Sequence, residues 1–198
     1  TGLSSTDGLV RLMIESDCFV QVNDDLSGWI ANRAPNAALR KMALGVVKHS
    51  TPEQWVDYFQ WNVVEIDIDT CLDISQTLRN IDADFPILSI GVAKMQPNTY
   101  YPLHKDTLRG CGINLMLSDC NLHSTESFCA WGSSDSNETY QLRYEQDTMY
   151  LLNTRIHHTV YNFGSERLML IVELETTNID QREYFPDYAQ IKELLEQL

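Results

Sequence analysis

The stretch that decides the fold reads MYLLNTRIHHTVYNFGSERLMLIVELE and covers residues 149–175. It contains three short apolar or alternating runs, at 149–152, 158–162 and 167–175, and four residues that include a glycine and a serine separate the last two runs. Runs of this length, bounded by turn-forming residues, are typical of β-strands. We therefore interpret the stretch as three consecutive strands, the last two joined by a four-residue loop.

The same pattern extends back to Pro86. Four earlier runs lie at 87–95, 112–117, 127–131 and 140–144, and turn-forming clusters separate them, such as Gln96-Pro97-Asn98 and residues 132–137. Many short strands at this spacing indicate an all-β sandwich or barrel.

The first 85 residues differ from this β-rich region, because their patterns are mixed and often helical. Apolar residues recur at near-helical spacing between Ala38 and Val47, which predicts a helix. Residues 51–54 supply the N-cap threonine, first-turn proline and capping glutamine of a second, shorter helix. The apolar side of this second helix would consist of Trp55, Val56 and Phe59.

A strand and a terminal helix complete the predicted architecture. Val64, Ile66 and Ile68 alternate with acidic residues, as in a strand with one solvated face. Apolar residues on one side of 186–198 predict a closing helix. We expect one domain spanning 1–198, with a helical or mixed part at about 1–85, a β core at about 86–175 and a C-terminal helix at about 186–198.

Composition narrows the classes of function. The net charge of −14, from 28 acidic and 14 basic residues, opposes binding to nucleic acid or anionic lipid. The sequence has no stretch long enough to span a membrane, and its N-terminus lacks the order of a secretion signal. Its five cysteines include no Cys-x-x-Cys pair, which favours reduced thiols. We expect a soluble, cytoplasmic protein that acts on a small molecule or a peptide, not on nucleic acid or a membrane.

His104 and Asp106 are the first candidates for chemistry. In an extended segment, residues two apart point to the same side, so this imidazole and this carboxylate converge. They would supply two of the three ligands in a two-histidine, one-carboxylate site, the arrangement that holds Fe(II) in non-haem oxygenases.

A second histidine and an arginine follow in the stretch quoted above. If residues 163–166 are a hairpin loop, Asn162 faces Arg167, Val160 faces Met169, and His158 faces Ile171. His158 and Arg167 would then look into one cavity, about four residues or roughly 13 Å apart along the strand. Arg167 would need an anionic partner there, because an unpaired buried charge is costly. The neighbouring His157 points to the opposite face, so only one of the two can be a ligand, and the alternation favours His158.

This combination resembles the Fe(II)/2-oxoglutarate-dependent oxygenases: His-x-Asp, a distal histidine, then an arginine nine residues further on, all in strand-rich sequence. The closer likeness is to the aspartyl/asparaginyl β-hydroxylase-like branch, and it covers about residues 86–175. The resemblance implies a double-stranded β-helix core, also called a jelly roll and cupin-like, with flanking helices. It also implies a dioxygenase that uses Fe(II), 2-oxoglutarate and O₂ and forms succinate and CO₂ while it hydroxylates a substrate.

Carried over residue by residue, the resemblance implies that His104, Asp106 and His158 bind the iron. Arg167 would bind the distal carboxylate of 2-oxoglutarate, and Asn114 falls where the branch often has a polar residue near the cosubstrate's other end. Arg109 is the nearest match to an arginine that some members carry before that strand. The implied substrate is a peptidyl Asp, Asn or Pro residue, or a small amino-acid-like molecule.

Two other classes share the predicted barrel. One is a cupin-like metalloenzyme that is not an oxygenase, such as an isomerase with a different metal. The other is a non-enzymatic β-barrel binding module in which the histidines and Asp106 are incidental. The cupin-like class needs neither Arg167 in the cavity nor an aspartate two residues after His104, and fold alone separates neither class from an oxygenase.

Overall fold

The computed structural model describes residues 18–21, 36–67, 87–106, 110–120, 127–132, 139–174 and 188–196. The helical elements are α1 (Asn36–His49), a 3₁₀ turn (Pro52–Gln54) and α2 (Tyr188–Glu196). The early strands are β1 (Phe19–Gln21), β2 (Val56–Tyr58) and β3 (Trp61–Glu65). The later strands are β4 (Ile87–Met95), β5 (Thr99–His104), β6 (Cys111–Met116), β7 (Ser127–Gly132), β8 (Thr139–Leu142), β9 (Met149–Asn153), β10 (His158–Asn162) and β11 (Arg167–Leu174).

The strands form two antiparallel sheets. The major sheet has the order β1-β9-β6-β11-β4-β3-β2, and the minor sheet has the order β5-β10-β7-β8. From β4 onward the chain passes repeatedly from one sheet to the other, as it does in a double-stranded β-helix. The predicted fold class, a mainly β double-stranded β-helix with flanking helices, is therefore confirmed.

The runs identified in the sequence became strands because one or both of their faces are buried. On β11 both faces are covered, and only Leu168 and Glu173 escape full burial. The predicted helix between Ala38 and Val47 is confirmed as part of α1, and α2 lies within the predicted terminal helix. In the predicted strand at Val64 and Ile66 both residues are buried, whereas Ile68 lies outside the described residues.

The prediction of a second helix after Thr51 is wrong. The Thr51 N–H does donate to Gln54 Oε1 at 2.8 Å, as a capping box requires, but the helix ends after one 3₁₀ turn. Trp55 is extended, with φ −87° and ψ 120°, and residues 56–58 then pair with β3. The capping box at residues 51–54 does form, but the β-branched and aromatic residues that follow it favour a strand over a helix.

The predicted hairpin between β10 and β11 is also wrong. β10 pairs with β5 and β7 in the minor sheet, whereas β11 pairs with β4 and β6 in the major sheet. Residues 163–166 therefore cross between the sheets instead of closing a hairpin. The side-chain amide of Asn162 holds this crossing in place, because it donates to the carbonyl oxygens of Met95, Gln96 and Ser165 at 2.9–3.2 Å.

Each face of the major sheet has its own core. One face packs under α1 and α2, through residues such as Leu39 and Ile191, and we call it the helix side. The other face looks toward the minor sheet, and we call it the cavity side. Cys18, Cys111, Cys120 and Cys129 are buried free thiols, and Cys71 lies outside the described residues. Within the described part of the chain, no helix is long and apolar enough to cross a membrane.

Candidate metal centre

Three side chains converge at one end of the space between the sheets. One ligand atom each from His104, Asp106 and His158 lies within 4.8 Å of the other two. Nε2 of His104 is 3.3 Å from Oδ1 of Asp106, and the two imidazole centres are 4.2 Å apart. Ligand atoms that sit side by side on a divalent ion, each about 2.1 Å from it, are about 3 Å apart. The spacing therefore suits a single shared ion.

Strand pairing brings the two histidines together. His158 lies directly opposite His104 on β5 and opposite Trp131 on β7, so it occupies the middle strand of the site. His158 is 6% exposed. The side chains of His104 and Asp106 are 26% and 15% exposed, so the centre opens to solvent on their side.

Both imidazoles are oriented by main-chain carbonyls. Nδ1 of His104 lies 2.8 Å from the carbonyl oxygen of Pro102, and Nδ1 of His158 lies 2.9 Å from that of Ile156. When each Nδ1–H donates to its carbonyl, each Nε2 keeps its lone pair for a metal. Hydrogen bonds of this kind fix the tautomer and the ring orientation of metal-binding histidines.

Main-chain contacts hold the segment that carries Asp106. The Asp106 N–H donates to Thr154 O at 2.9 Å, and the Thr154 N–H donates to Gly110 O at 3.1 Å. A guanidinium nitrogen of Arg155 lies 3.4 Å from the carbonyl oxygen of Asp106. The loop after β9 thus holds the backbone of Asp106 in place relative to His158, which begins the next strand.

A cavity of about 740 Å³, counted out to its open mouth, extends from the two histidines between the sheets. Arg167 lines this cavity together with His104 and His158, as predicted, although by a different strand pairing. Arg167 is only 5% exposed, and its Nη1 is buried with no hydrogen-bond partner among the described residues. Because a buried, charged nitrogen without a hydrogen-bond partner is costly, this position favours an anionic ligand in the cavity.

Tyr144 is a cavity residue that the sequence reasoning missed. The guanidinium carbon of Arg167 lies 5.2 Å from the Tyr144 ring centre. Hydrogen bonds join the Tyr144 hydroxyl to the side chains of Asn114 and Arg167. Burial raises the pKa of Tyr144, so its hydroxyl stays protonated and can donate to a carboxylate. Tyr144 alternates with the buried Leu142, which signals an inward position, but its contact with Arg167 is too distant in sequence to predict.

The remaining predicted residues have different positions. Asn114 lines the cavity, and its bond to Tyr144 puts it near the Arg167 end. Arg109 lies outside the described residues. His157 is absent from the cavity lining, and its carbonyl oxygen accepts a hydrogen bond from Gly132 at 3.0 Å. Of the two adjacent histidines, His158 is therefore the one that faces the site.

The rest of the cavity wall is mainly apolar or aromatic. Trp61, Tyr101, Trp131 and Met169 contribute to it. Cys129 also lines it, and burial raises the pKa of that thiol to about 12. At neutral pH the thiol is therefore uncharged and supplies no negative charge to the guanidinium of Arg167.

Comparison with solved structures identifies the fold. A prolyl-4-hydroxylase from Pseudomonas putida matches with a TM-score of 0.55 and 15% identity, over 80% of this chain and 92% of that one. A 2OG-Fe(II) oxygenase family oxidoreductase from Burkholderia pseudomallei matches with a TM-score of 0.54 and 10% identity, over 76% and 89%. The α-ketoglutarate-dependent epimerase SnoN of nogalamycin biosynthesis matches with a TM-score of 0.53 and 13% identity, over 81% and 80%.

The chain has the fold of these Fe(II)/2-oxoglutarate oxygenases. No protein-family model and no curated protein sequence matches it. The three structures comprise a hydroxylase, an oxidoreductase and an epimerase, so the narrower likeness to the aspartyl/asparaginyl branch stays a prediction.

Proposed function

We propose that this protein is an Fe(II)- and 2-oxoglutarate-dependent dioxygenase that hydroxylates its substrate. The observation that carries the proposal is the occurrence of two complementary features in one cavity. One is the cluster of His104, Asp106 and His158, and the other is the buried Nη1 of Arg167, which has no partner among the described residues. Either feature alone occurs in proteins of many functions.

The donor set fits the proposed metal. Two imidazoles and one carboxylate form the facial triad of non-haem Fe(II) oxygenases, which leaves coordination positions for other ligands. Bound iron, with 2-oxoglutarate and O₂, would supply the oxidising power for C–H hydroxylation, and succinate and CO₂ would be released. Asp106 and the two histidines would hold the metal at the exposed end of the cavity.

Arg167 and Tyr144 would bind the distal carboxylate of 2-oxoglutarate. The guanidinium supplies a charge-assisted hydrogen bond through its buried Nη1, and the protonated Tyr144 hydroxyl is a second donor beside it. The interaction is strong because the apolar wall excludes water from the carboxylate. Asn114 orients the Tyr144 hydroxyl through their shared hydrogen bond.

The cupin-like and non-enzymatic alternatives are less well supported by the cavity. Neither explains a charged side chain that is 5% exposed and lines the same space as the two candidate histidine ligands. The proposed substrates remain a peptidyl Asp, Asn or Pro residue, or a small amino-acid-like molecule, in a soluble, cytoplasmic setting.

The test is succinate formation from 2-oxoglutarate by protein loaded anaerobically with Fe(II) and then exposed to O₂. We expect the wild type to form succinate and the Asp106→Ala variant to lose at least about 100-fold of the rate, more than the loss typical for groups that merely orient a ligand. Glu193→Ala, which removes an exposed carboxylate on α2, is the matched control. Equal rates in Asp106→Ala and the wild type would refute the proposal.

A further inference from the structure

The cavity side of the major sheet continues beyond the cavity onto β2. Val56 lies directly opposite Val63, and Tyr58 lies opposite Trp61. Residues directly opposite in an antiparallel pair point to the same face. Trp61 and Val63 pack in the cavity-side core, whereas Val56 and Tyr58 are 52% and 56% exposed. An apolar surface therefore extends from the buried core into solvent.

Phe59 links this surface to the metal centre. It is 62% exposed, and its ring centre lies 5.9 Å from that of Tyr101. The Tyr101 ring in turn lies 4.3 Å from the His104 imidazole. We call Val56, Tyr58 and Phe59 the shelf. Contiguous exposed apolar residues of this kind mark contact surfaces, and this one ends at Tyr101, which contacts the candidate metal ligand His104.

The position of the shelf sets a minimum size for what binds there. β2 pairs with β3, whose Trp61 lines the cavity, and neighbouring strands are about 4.8 Å apart, so the shelf begins about 5 Å beyond that wall. Val56 and Tyr58 lie about 7 Å apart along β2, so a single amino acid held at the metal would not cover them. Three residues of extended polypeptide span about 10 Å. The shelf therefore suits a chain that passes over it and continues into the cavity.

The segment that carries the shelf is acidic. Residues 51–67 include Glu53, Asp57, Glu65 and Asp67, all exposed, and no lysine or arginine. Glu65 follows Val63 by two positions on β3, so it lies on the same face as the shelf. Asp57 and Lys94 both lie opposite Asn62, so they share the other face of the sheet, where Lys94 lies over the Trp55 ring at 4.1 Å. This distribution favours a basic partner.

We propose that the shelf docks an extended, basic segment of a polypeptide substrate, whose target residue enters the cavity beside the metal. This inference rests on the proposed function, and it narrows the substrate to a polypeptide. Apolar residues of the segment would cover Val56 and Tyr58, and a lysine or arginine would lie near Glu65. Tyr58 and Trp61 close the two-residue turn between β2 and β3, and Asp57 and Asn62 form the next pair, which is not hydrogen-bonded. The main-chain N–H and C=O of Asp57 therefore point to the outer edge of β2, where they can bond to the segment.

The test measures peptide binding to protein loaded with Fe(II) and 2-oxoglutarate under anaerobic conditions, so that nothing turns over. The probes are two pools of twelve-residue peptides with a neutral fluorophore, built from Ala, Val, Pro and Asn with either Lys or Glu. Fluorescence anisotropy gives the affinity of each pool. We expect the lysine pool to bind at least about tenfold more tightly than the glutamate pool.

Variants of the shelf locate the binding. We expect Val56→Ser/Tyr58→Ser to weaken binding of the lysine pool at least about tenfold, because two half-exposed apolar side chains lose their cover. Glu65→Lys should weaken it about threefold, as for an exposed charge. The matched controls are Phe163→Ser, an equally exposed apolar residue elsewhere, and Glu193→Lys on α2. Neither control should change the affinity.

The possible failures are separable. If the lysine pool shows no preference, or if the shelf variants bind as the wild type does, the shelf is not a substrate-docking surface. If the double variant instead changes the oligomeric state in sedimentation, the shelf contacts a second copy of the chain and the proposal falls. Succinate formation without peptide is measured separately, so a failed docking surface leaves the proposed function standing, whereas loss of succinate formation and of Fe(II) binding would refute the proposed function itself.

Discussion

The two faces of the major sheet are made by the same strands but have different compositions. The helix side is almost entirely aliphatic, with residues such as Ile90, Leu115 and Leu170. The cavity side contains cysteine, tyrosine and tryptophan, and His158, Asn162 and Arg167 are among the buried polar groups near it. The helix side has the composition of a core that only stabilises the fold, whereas the cavity side keeps polar groups that cost stability and serve a ligand.

The largest expected effect comes from neighbouring residues on opposite faces of β11. Leu170→Ala, at a 1% exposed position on the helix side, should lower the free energy of unfolding by about 3–5 kcal/mol because it leaves a cavity in a packed core. Met169→Ala should cost about 2 kcal/mol, at the low end of the range for such truncations, because Met169 already borders open space. Urea unfolding of both variants measures the difference, and equal losses would contradict the distinction between the faces.

Arg167→Met should separate stability from ligand binding. We expect the half-saturating concentration of 2-oxoglutarate to rise about 100-fold, because truncating one partner of a buried charge pair costs roughly 2–5 kcal/mol. Without 2-oxoglutarate, the variant should unfold at the same urea concentration as the wild type or a higher one, since a buried cation is replaced by an apolar chain. A large loss of stability in the ligand-free protein would mean that Arg167 has a structural role.

Tyr144→Phe tests whether the Tyr144 hydroxyl donates a hydrogen bond to the distal carboxylate of 2-oxoglutarate. Loss of one hydrogen bond should raise the half-saturating concentration of 2-oxoglutarate about five- to tenfold, with a smaller effect on the maximal rate of succinate formation. Steady-state kinetics at several concentrations of 2-oxoglutarate distinguishes the two parameters. Tyr140→Phe, which changes a partly buried tyrosine of β8, serves as the control, and an equal effect there would argue against a role for Tyr144.

The smallest expected effect is a pH dependence confined to the cavity side. Burial raises the pKa of Cys129 from 9.0 to about 12, so the folded protein keeps a proton that the unfolded chain loses above about pH 9. The contribution of the buried, protonated Cys129 to the free energy of unfolding is fully present below that pH and decreases as the pH rises toward 12. Between pH 8 and pH 10 the free energy of unfolding, measured with urea, should fall by about 1 kcal/mol more in the wild type than in Cys129→Ala. The same loss in both would exclude Cys129 as the cause.

The strands of the core could be predicted from the sequence because burial imposes a clear pattern on them. The runs at 87–95, 149–152 and 158–162 match β4, β9 and β10 to within a residue. The convergence of His104 and Asp106 followed from their spacing. These features depend on residues close together in the chain.

Strand pairing could not be predicted in the same way. A four-residue connection after Asn162 is compatible with a hairpin or with a crossing between sheets, and only distant partners such as Met95 decide between them. Arg167 nevertheless reaches the cavity, because β10 and β11 face each other across it. The contact of Tyr144 with Arg167 and the pairing of residues 56–58 with β3 depend equally on partners that local patterns do not specify.

The central claim is that His158, with His104 and Asp106, binds one Fe(II) ion in the cavity. The most direct test is anaerobic calorimetric titration of Fe(II) into the wild type, His158→Ala and His157→Ala. These variants remove adjacent histidines, of which only His158 lines the cavity. We predict one iron per chain in the wild type and in His157→Ala, and at least about 100-fold weaker binding in His158→Ala. Unchanged affinity in His158→Ala, or loss of binding in His157→Ala, would contradict the proposed centre.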